Sequence, residues 1–316
     1  MLDQKKDETI EKNLDRPNSF EEFIGQKNIK NILSTAVESA KTNKHTLGHI
    51  LFSWPSWFGK TSLAQIISSK VQSNFYNITG YAINKPAEII SILQKLQEHD
   101  ILFIDEIHRI RANIEEILYI AMEDQRIDIV MPDGTSLNLP IAQFTLVGAT
   151  TKPESLSTPL KNRFIYNFHL EEYSTEEKKS IIDRYLQKLW IETNKNLLEK
   201  INQKTDHTPR NIKNMCIKIR DFLISQNTRK LTEEIRNLCE KRIDIDDFWM
   251  TKLHKKYLHA FSHKNKEQTL SLKTLATKLW VNEKTVEDDI EPLLMKLWYV
   301  DKTPRGRILI KQIEAD

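Results

Sequence analysis

Residues 53–62, SWPSWFGKTS, decide how this chain is read. They follow an apolar run at residues 49–52 and lead into the helix-like LAQIISSKV. Strand, turn and helix therefore come in the order that a phosphate-binding P-loop requires. The P-loop pattern is G-x-x-x-x-G-K-[ST]. Its glycines let backbone N–H groups curl around phosphates, its lysine reaches the terminal phosphates, and its hydroxyl binds Mg2+. Gly59, Lys60, Thr61 and the adjoining Ser62 fit this pattern, but Trp54 occupies the first glycine position and Trp57 the centre of the loop. Indole side chains do not supply positive φ cheaply, and they crowd the phosphate site. Taken literally, the loop is expected to bind nucleotide poorly.

Glycine is scarce throughout, at 7 of 316 residues, where soluble proteins average about 7%. Trp190, Trp249, Trp280 and Trp298 follow segments such as IIDRYLQKL, TLATKL and LLMKL, where a helix stops and a glycine usually follows. All six tryptophans thus stand where glycine would be unremarkable. One reading unites them: the gene uses UGA for glycine, and the sequence was translated with UGA as tryptophan. Restoring glycine turns residues 53–62 into SGPSGFGKTS, a complete P-loop. The alternative is genuine divergence, giving a DNA-binding or scaffold protein that keeps the fold without turnover.

At 37.2 kDa the chain has core enough for two or three domains. A net charge of +3 is too small to imply a nucleic-acid partner by itself. Cys216 and Cys239 have neither metal-ligand spacing nor a disulfide framework, which points to a reducing cytoplasm. Residues 1–15 read as a charged, mobile leader, and no apolar run reaches the ~18 residues of a membrane span.

ILFIDEIHR, residues 101–109, reads as a buried parallel strand ending in Asp105 and Glu106. Carboxylates at that end have separate tasks: Asp105 in a Mg2+ shell, Glu106 orienting and polarising the attacking water. FTLVGATT, residues 144–151, ends in Thr150 and Thr151, suited either to positioning that water or to capping the next turn. Between these strands, two alternating runs around Pro132 and Gly134 predict a protruding hairpin at residues 127–143. Its Val130, Met131, Leu137 and Leu139 suit either a partner surface or the domain's own core. Arg163 follows a turn and could serve a neighbour's phosphates. Residues 173–246 have helical periodicity, with Arg210 opening one helix. From about 247 the pattern is helix, turn, helix and a wing whose tip carries Lys302, Arg305 and Arg307.

In this order RPNSFEEFIGQ, the altered P-loop, DILFIDEIHR, FTLVGATT, TPLKNRF, HTPRNI and TPRGR resemble the RuvB family of AAA+ ATPases, bacterial motors of Holliday-junction branch migration. The resemblance spans roughly residues 14–312. It implies an α/β AAA+ core with a parallel sheet and P-loop (16–172), a small all-α lid (173–246) and a C-terminal winged helix (247–316). It further implies ATP and Mg2+ as ligands. Lys60, Thr61, Ser62 and the loop positions Trp57 and Gly59 would meet the phosphates, and Thr61 and Asp105 would hold the metal. Asp105, Glu106, Thr150 and the arginine finger Arg163 would be catalytic. Arg16, Glu123, Asp124, Gln125, Tyr173 and the sensor arginine Arg210 match nucleotide-site positions, and Lys302, Arg305 and Arg307 match the DNA-contacting wing. The implied assembly is a homo-hexameric ring around duplex DNA. Its partners would be a RuvA-like junction-binding protein docked at the hairpin and a RuvC-like resolvase. A clamp-loader-like ATPase shares the Walker and arginine elements but ends in a helical collar instead of a winged helix.

Overall fold

The computed structural model describes residues 16–53, 58–130, 136–203, 208–243, 252–261 and 269–311. Trp54, Trp57 and Trp249, the tip of the hairpin and the leader lie outside them. The chain forms two compact units. One holds the residues up to Lys188 with the start of the helix Pro209–Ser225; the other holds the rest. The helix Thr175–Lys188, expected in the lid, therefore groups with the first unit.

The first unit is built on parallel strands β1 (Ile50–Ser53), β2 (Phe75–Thr79), β3 (Ile101–Asp105), β6 (Thr145–Thr150) and β7 (Tyr166–His169), in the order β2-β3-β6-β1-β7. The strands β4 (Arg126–Val130) and β5 (Ser136–Pro140) form a separate antiparallel pair. β3 and β6 are apolar along nearly their whole length because helices cover both faces of the sheet, and every residue of β6 is buried. Helix α1 (Lys27–Asn43) buries Ile29, Leu33, Ala36, Val37 and Ala40, a stripe at helical spacing. Helix α2 (Lys60–Val71) starts at Gly59, whose φ of +96° is one that glycine adopts without strain. β6 lies between β1 and β3, so the P-loop strand and the acidic strand flank it, and their C-terminal ends share one edge of the sheet.

In the β4–β5 hairpin, Ile127 pairs with Leu139 and Ile129 with Leu137 on one face. Ile127 is buried and Leu139 packs on the core, while Leu137, farther out, is 46% exposed. The inner part of the hairpin therefore covers the domain's own core, and Leu137 is left exposed.

In the second unit, helix Leu272–Leu279 is capped by the Ser271 hydroxyl. A broken helix follows through Glu283–Thr285, a π turn Val286–Ile290 and Glu291–Lys296. The strands β8 (Thr269–Leu270), β9 (Val300–Thr303) and β10 (Gly306–Leu309) form the wing sheet. Tyr257, Leu275, Leu279, Val286, Ile290 and Leu294 fill its core.

Trp190, Trp280 and Trp298 all take φ of +58° and are 68, 94 and 72% exposed. Lys44 and Gln72 adopt the same conformation at helix ends, but they are polar. The three indoles put large apolar groups in water on a backbone that suits glycine. Replacing each by glycine is expected to stabilise the fold by about 1 kcal/mol, through relief of left-handed strain. The three effects should be nearly additive in urea-unfolding midpoints; lower midpoints for all three would show that the indoles belong there.

Candidate functional site

At the C-terminal edge of the sheet, Lys60 at the head of α2 is buried, and its ammonium donates to the Thr150 carbonyl at 3.4 Å. Burial lowers its pKa, opposed by the charges of Glu106 and Asp105. Asp105 ends β3, and burial with the neighbouring Glu106 charge pushes its carboxyl above the ordinary range, against the pull of Lys60 and Arg16. Arg16, exposed, thus lies within electrostatic reach of Asp105. Glu106 follows with φ of +50°, and its backbone carbonyl would sit 2.4 Å from any Cβ at position 80, which Gly80 avoids. The Glu106 carboxylate accepts from the Thr151 hydroxyl at 3.1 Å and lies 3.2 Å from His108 Nδ1. Thr150, fully buried, completes the cluster. Thr61 and Ser62 occupy the first turn of α2.

Tyr173 is buried beneath this edge. Its ring stacks on Phe58 with centroids 5.9 Å apart, and its hydroxyl donates to the Phe58 carbonyl at 3.1 Å. It supports the loop's backbone from below. Arg210 is exposed at the start of the helix Pro209–Ser225.

A second cluster forms at the opposite, N-terminal edge of the same strands. Arg163 follows the short helix Thr158–Asn162, immediately before β7. Its guanidinium pairs with Glu123 and lies 5.8 Å over the Tyr119 ring. Glu123, Gln125 and Arg163 line a pocket of about 340 Å³ together with His49 and Ile165. Asp124 instead pairs with Arg126 at 3.2 Å. Sequence spacing hid this convergence, because 37 residues of hairpin, strand and helix separate Gln125 from Arg163.

His49 underlies that pocket. Its Nδ1 accepts from the Leu146 N–H at 2.9 Å, its Nε2 faces the Met122 carbonyl, and burial drives its pKa from 6.5 to about 4. As pH falls below 6.5 the unfolded chain gains a proton that the folded one refuses until about 4. The neutral imidazole's contribution is therefore full above pH 6.5 and is lost across that window, by roughly 3 kcal/mol. Unfolding midpoints between pH 7 and 4 should fall more steeply for the parent than for His49→Gln.

On the wing, Arg305 is exposed at the turn, whereas Arg307 is turned inward. Arg307 donates to buried Glu291 at 2.7 Å and to Glu287 at 3.1 Å. Lys302 reaches Glu291 at 3.0 Å, and the Tyr257 hydroxyl donates to the same carboxylate at 3.1 Å. Arg307, its side chain 13% exposed, therefore braces the fold, while the Lys302 side chain stays 46% exposed. Cys216 and Cys239 are buried free thiols, and no described helix is long and apolar enough to cross a membrane.

A P-loop lysine, an acidic strand end, a threonine from the intervening strand and an attached winged helix define a P-loop ATPase of the DNA-acting kind. Residues 15–170 match the family described as Holliday junction DNA helicase RuvB P-loop domain, and residues 248–312 match the RuvB C-terminal winged helix domain. The chain belongs to the RuvB family. It is 37% identical over 300 residues to the Holliday junction branch migration complex subunit RuvB of Ehrlichia ruminantium (strain Gardel), covering 94% of this chain and 90% of that one. It is 36% identical to the protein of that name from Rickettsia africae (strain ESF-5), covering 93% and 87%. Among solved structures it matches the Thermotoga maritima RuvB Holliday junction branch migration motor with a TM-score of 0.80 and 35% identity, covering 94% of this chain and 95% of that one.

Proposed function

We propose that this chain is an ATP-driven motor of Holliday-junction branch migration that works as a homo-hexameric ring around duplex DNA. What supports the ring is the separation of the two clusters. Lys60, Asp105, Glu106 and Thr150 belong to the C-terminal edge of the sheet, Arg163 and Glu123 to the other. Arg163 therefore serves the nucleotide of a neighbouring subunit. Lys60 and the N–H groups that open α2 hold the β and γ phosphates, Glu106 orients and polarises the attacking water, and Thr150 steadies it. Arg163 from the neighbour stabilises charge as the γ-phosphoryl leaves. The Thr61 hydroxyl and the Asp105 carboxylate are hard oxygen donors, and the crowding of Asp105 against Glu106 favours a cation, so both fit Mg2+. Bound there, Mg2+ would supply positive charge against the negative charge of the phosphates. Arg16 and Arg210 complete the nucleotide's surroundings within the subunit and Gln125 reaches it from the neighbour beside Arg163, with Arg210 transmitting the nucleotide's state to the helical region.

DNA contact falls to the wing and not to the preceding helix. Residues 283–296 carry five acidic side chains against two lysines, a poor match for a phosphate backbone. Arg305 is the leading contact, with Lys302 beside it and Arg307 as the brace. The outer hairpin, around exposed Leu137, suits a RuvA-like partner, and a RuvC-like resolvase would follow on the same junction.

Mixing Lys60→Ala with Arg163→Ala subunits, each with glycine at 54 and 57, tests the ring. Neither variant alone should hydrolyse ATP. The mixture should recover activity where an intact P-loop meets a donated arginine, and an inactive mixture would place Arg163 in its own subunit's site.

A further inference from the structure

The imidazole of His108 connects two groups that the proposed mechanism uses separately. His108 lies in the 3-10 turn Ile107–Arg109, directly after β3, and its side chain is only 5% exposed. Its Nδ1 is 3.0 Å from Thr150 Oγ1 and 3.2 Å from Glu106 Oε2, while its Nε2 is buried without a hydrogen-bond partner among the described residues. The negative charge of the Glu106 carboxylate beside Nδ1 favours the tautomer that carries the ring N–H on that nitrogen. Protonating the ring as well would bury an unpaired N–H at Nε2, which is unfavourable. Burial lowers the pKa of the ring, opposed by the charge of Glu106, in keeping with a neutral imidazole.

The consequence falls on Thr150. Its Oγ1 already accepts from the Lys152 backbone N–H at 3.0 Å. A second hydrogen bond from His108 Nδ1 occupies both lone pairs, so the hydroxyl proton is left to donate outward. A phosphate oxygen offers only lone pairs, so a hydroxyl held as a donor is what a γ-phosphate requires. Glu106 Oε2 lies 3.2 Å from the same nitrogen, and its described hydrogen bond comes from the Thr151 hydroxyl. The imidazole thus sets the Thr150 hydroxyl beside the carboxylate that the mechanism uses.

We propose that His108 is a positioning residue for ATP hydrolysis, which fixes the Thr150 hydroxyl as a donor beside the Glu106 carboxylate. This rests on the ATPase reading above. The test measures ATP turnover and ATP binding in the chain with glycine at 54 and 57, alongside His108→Ala, His108→Asn and His108→Gln. The alanine variant should lose up to about 100-fold in kcat, with ATP affinity within about twofold of the parent. Asparagine sets its amide N–H where Nδ1–H stood and should recover most of the rate. Glutamine sets its amide near Nε2 and should not. Asparagine no better than alanine, or recovery by glutamine, would overturn the proposal, as would unchanged kcat in all three variants. The parent and Glu106→Gln in the same assay separate the two ideas: a parent without turnover defeats the ATPase reading itself and not the role of His108.

Discussion

Glycine at positions 54 and 57 is expected to raise ATP affinity on the order of 100-fold over the chain with tryptophan at both, or about 3 kcal/mol. The loop's two ends are fixed by the fold. At one end the Ser53 hydroxyl donates to the Phe168 carbonyl at 3.1 Å, and the Ser53 carbonyl accepts from the Leu170 N–H at 3.1 Å. At the other, the Phe58 carbonyl is held by Tyr173, and Gly59 turns into α2 with φ of +96°. Four residues must cradle phosphates between these anchors, and two indoles bring bulk where the backbone itself has to make the contacts. Calorimetric titration with ATP of both chains measures the difference. Equal affinity would mean that the loop tolerates tryptophan. The companion measurement is the mass of tryptic peptides from protein purified from its own source, across Lys60 and across position 298. Glycine masses are expected at every tryptophan position covered, in line with the exposed, left-handed Trp190, Trp280 and Trp298. Tryptophan masses there would end the reassigned-codon reading.

In the glycine-restored chain, Glu106→Gln is expected to lower kcat by about 10²- to 10⁴-fold while ATP and DNA binding persist. Glutamine has the shape of glutamate and still accepts from the Thr151 hydroxyl, so the local packing is kept. It lacks the negative charge that polarises water. Single-turnover hydrolysis beside equilibrium binding reads the two effects apart, and a kcat near that of the parent would remove Glu106 from the chemistry. Lys60→Ala should differ by losing binding as well, because it removes the buried ammonium proposed to hold the phosphates.

Much of the first cluster was legible in the sequence because it is local. A strand, a turn and GKTS specify a helix whose first residues are Lys60 and Thr61. An apolar run ending in Asp105 and Glu106 sets both carboxylates at a strand end. Thr150 could be read only as one of two hydroxyls, since neither periodicity nor spacing tells which faces the acidic strand. The structure gives them different partners: Thr151 reaches Glu106 directly, and Thr150 meets His108. Nothing in DEIHR singles out its histidine, because a buried imidazole and a surface one look alike in sequence. The wing shows the reverse error. TPRGR reads as a row of cations on a turn, yet Arg307 sits on a strand facing Glu291 and Glu287, which neutralise it.

Consecutive residues alone were enough for the strand and helix on either side of the P-loop, the acidic strand end, the winged helix, and the glycine-like backbone where three helices stop. These follow from the φ that each residue permits and from which face of each element is apolar. Only the tertiary structure decided the convergences between distant segments. The strand order β2-β3-β6-β1-β7 sets Thr150 beside the acidic strand, slides Tyr173 beneath the loop, and carries Arg163 to the far edge of the sheet beside Glu123. Strand order is settled by how helices and sheet bury their apolar faces together, a property of the whole packed core that no single stretch of residues contains.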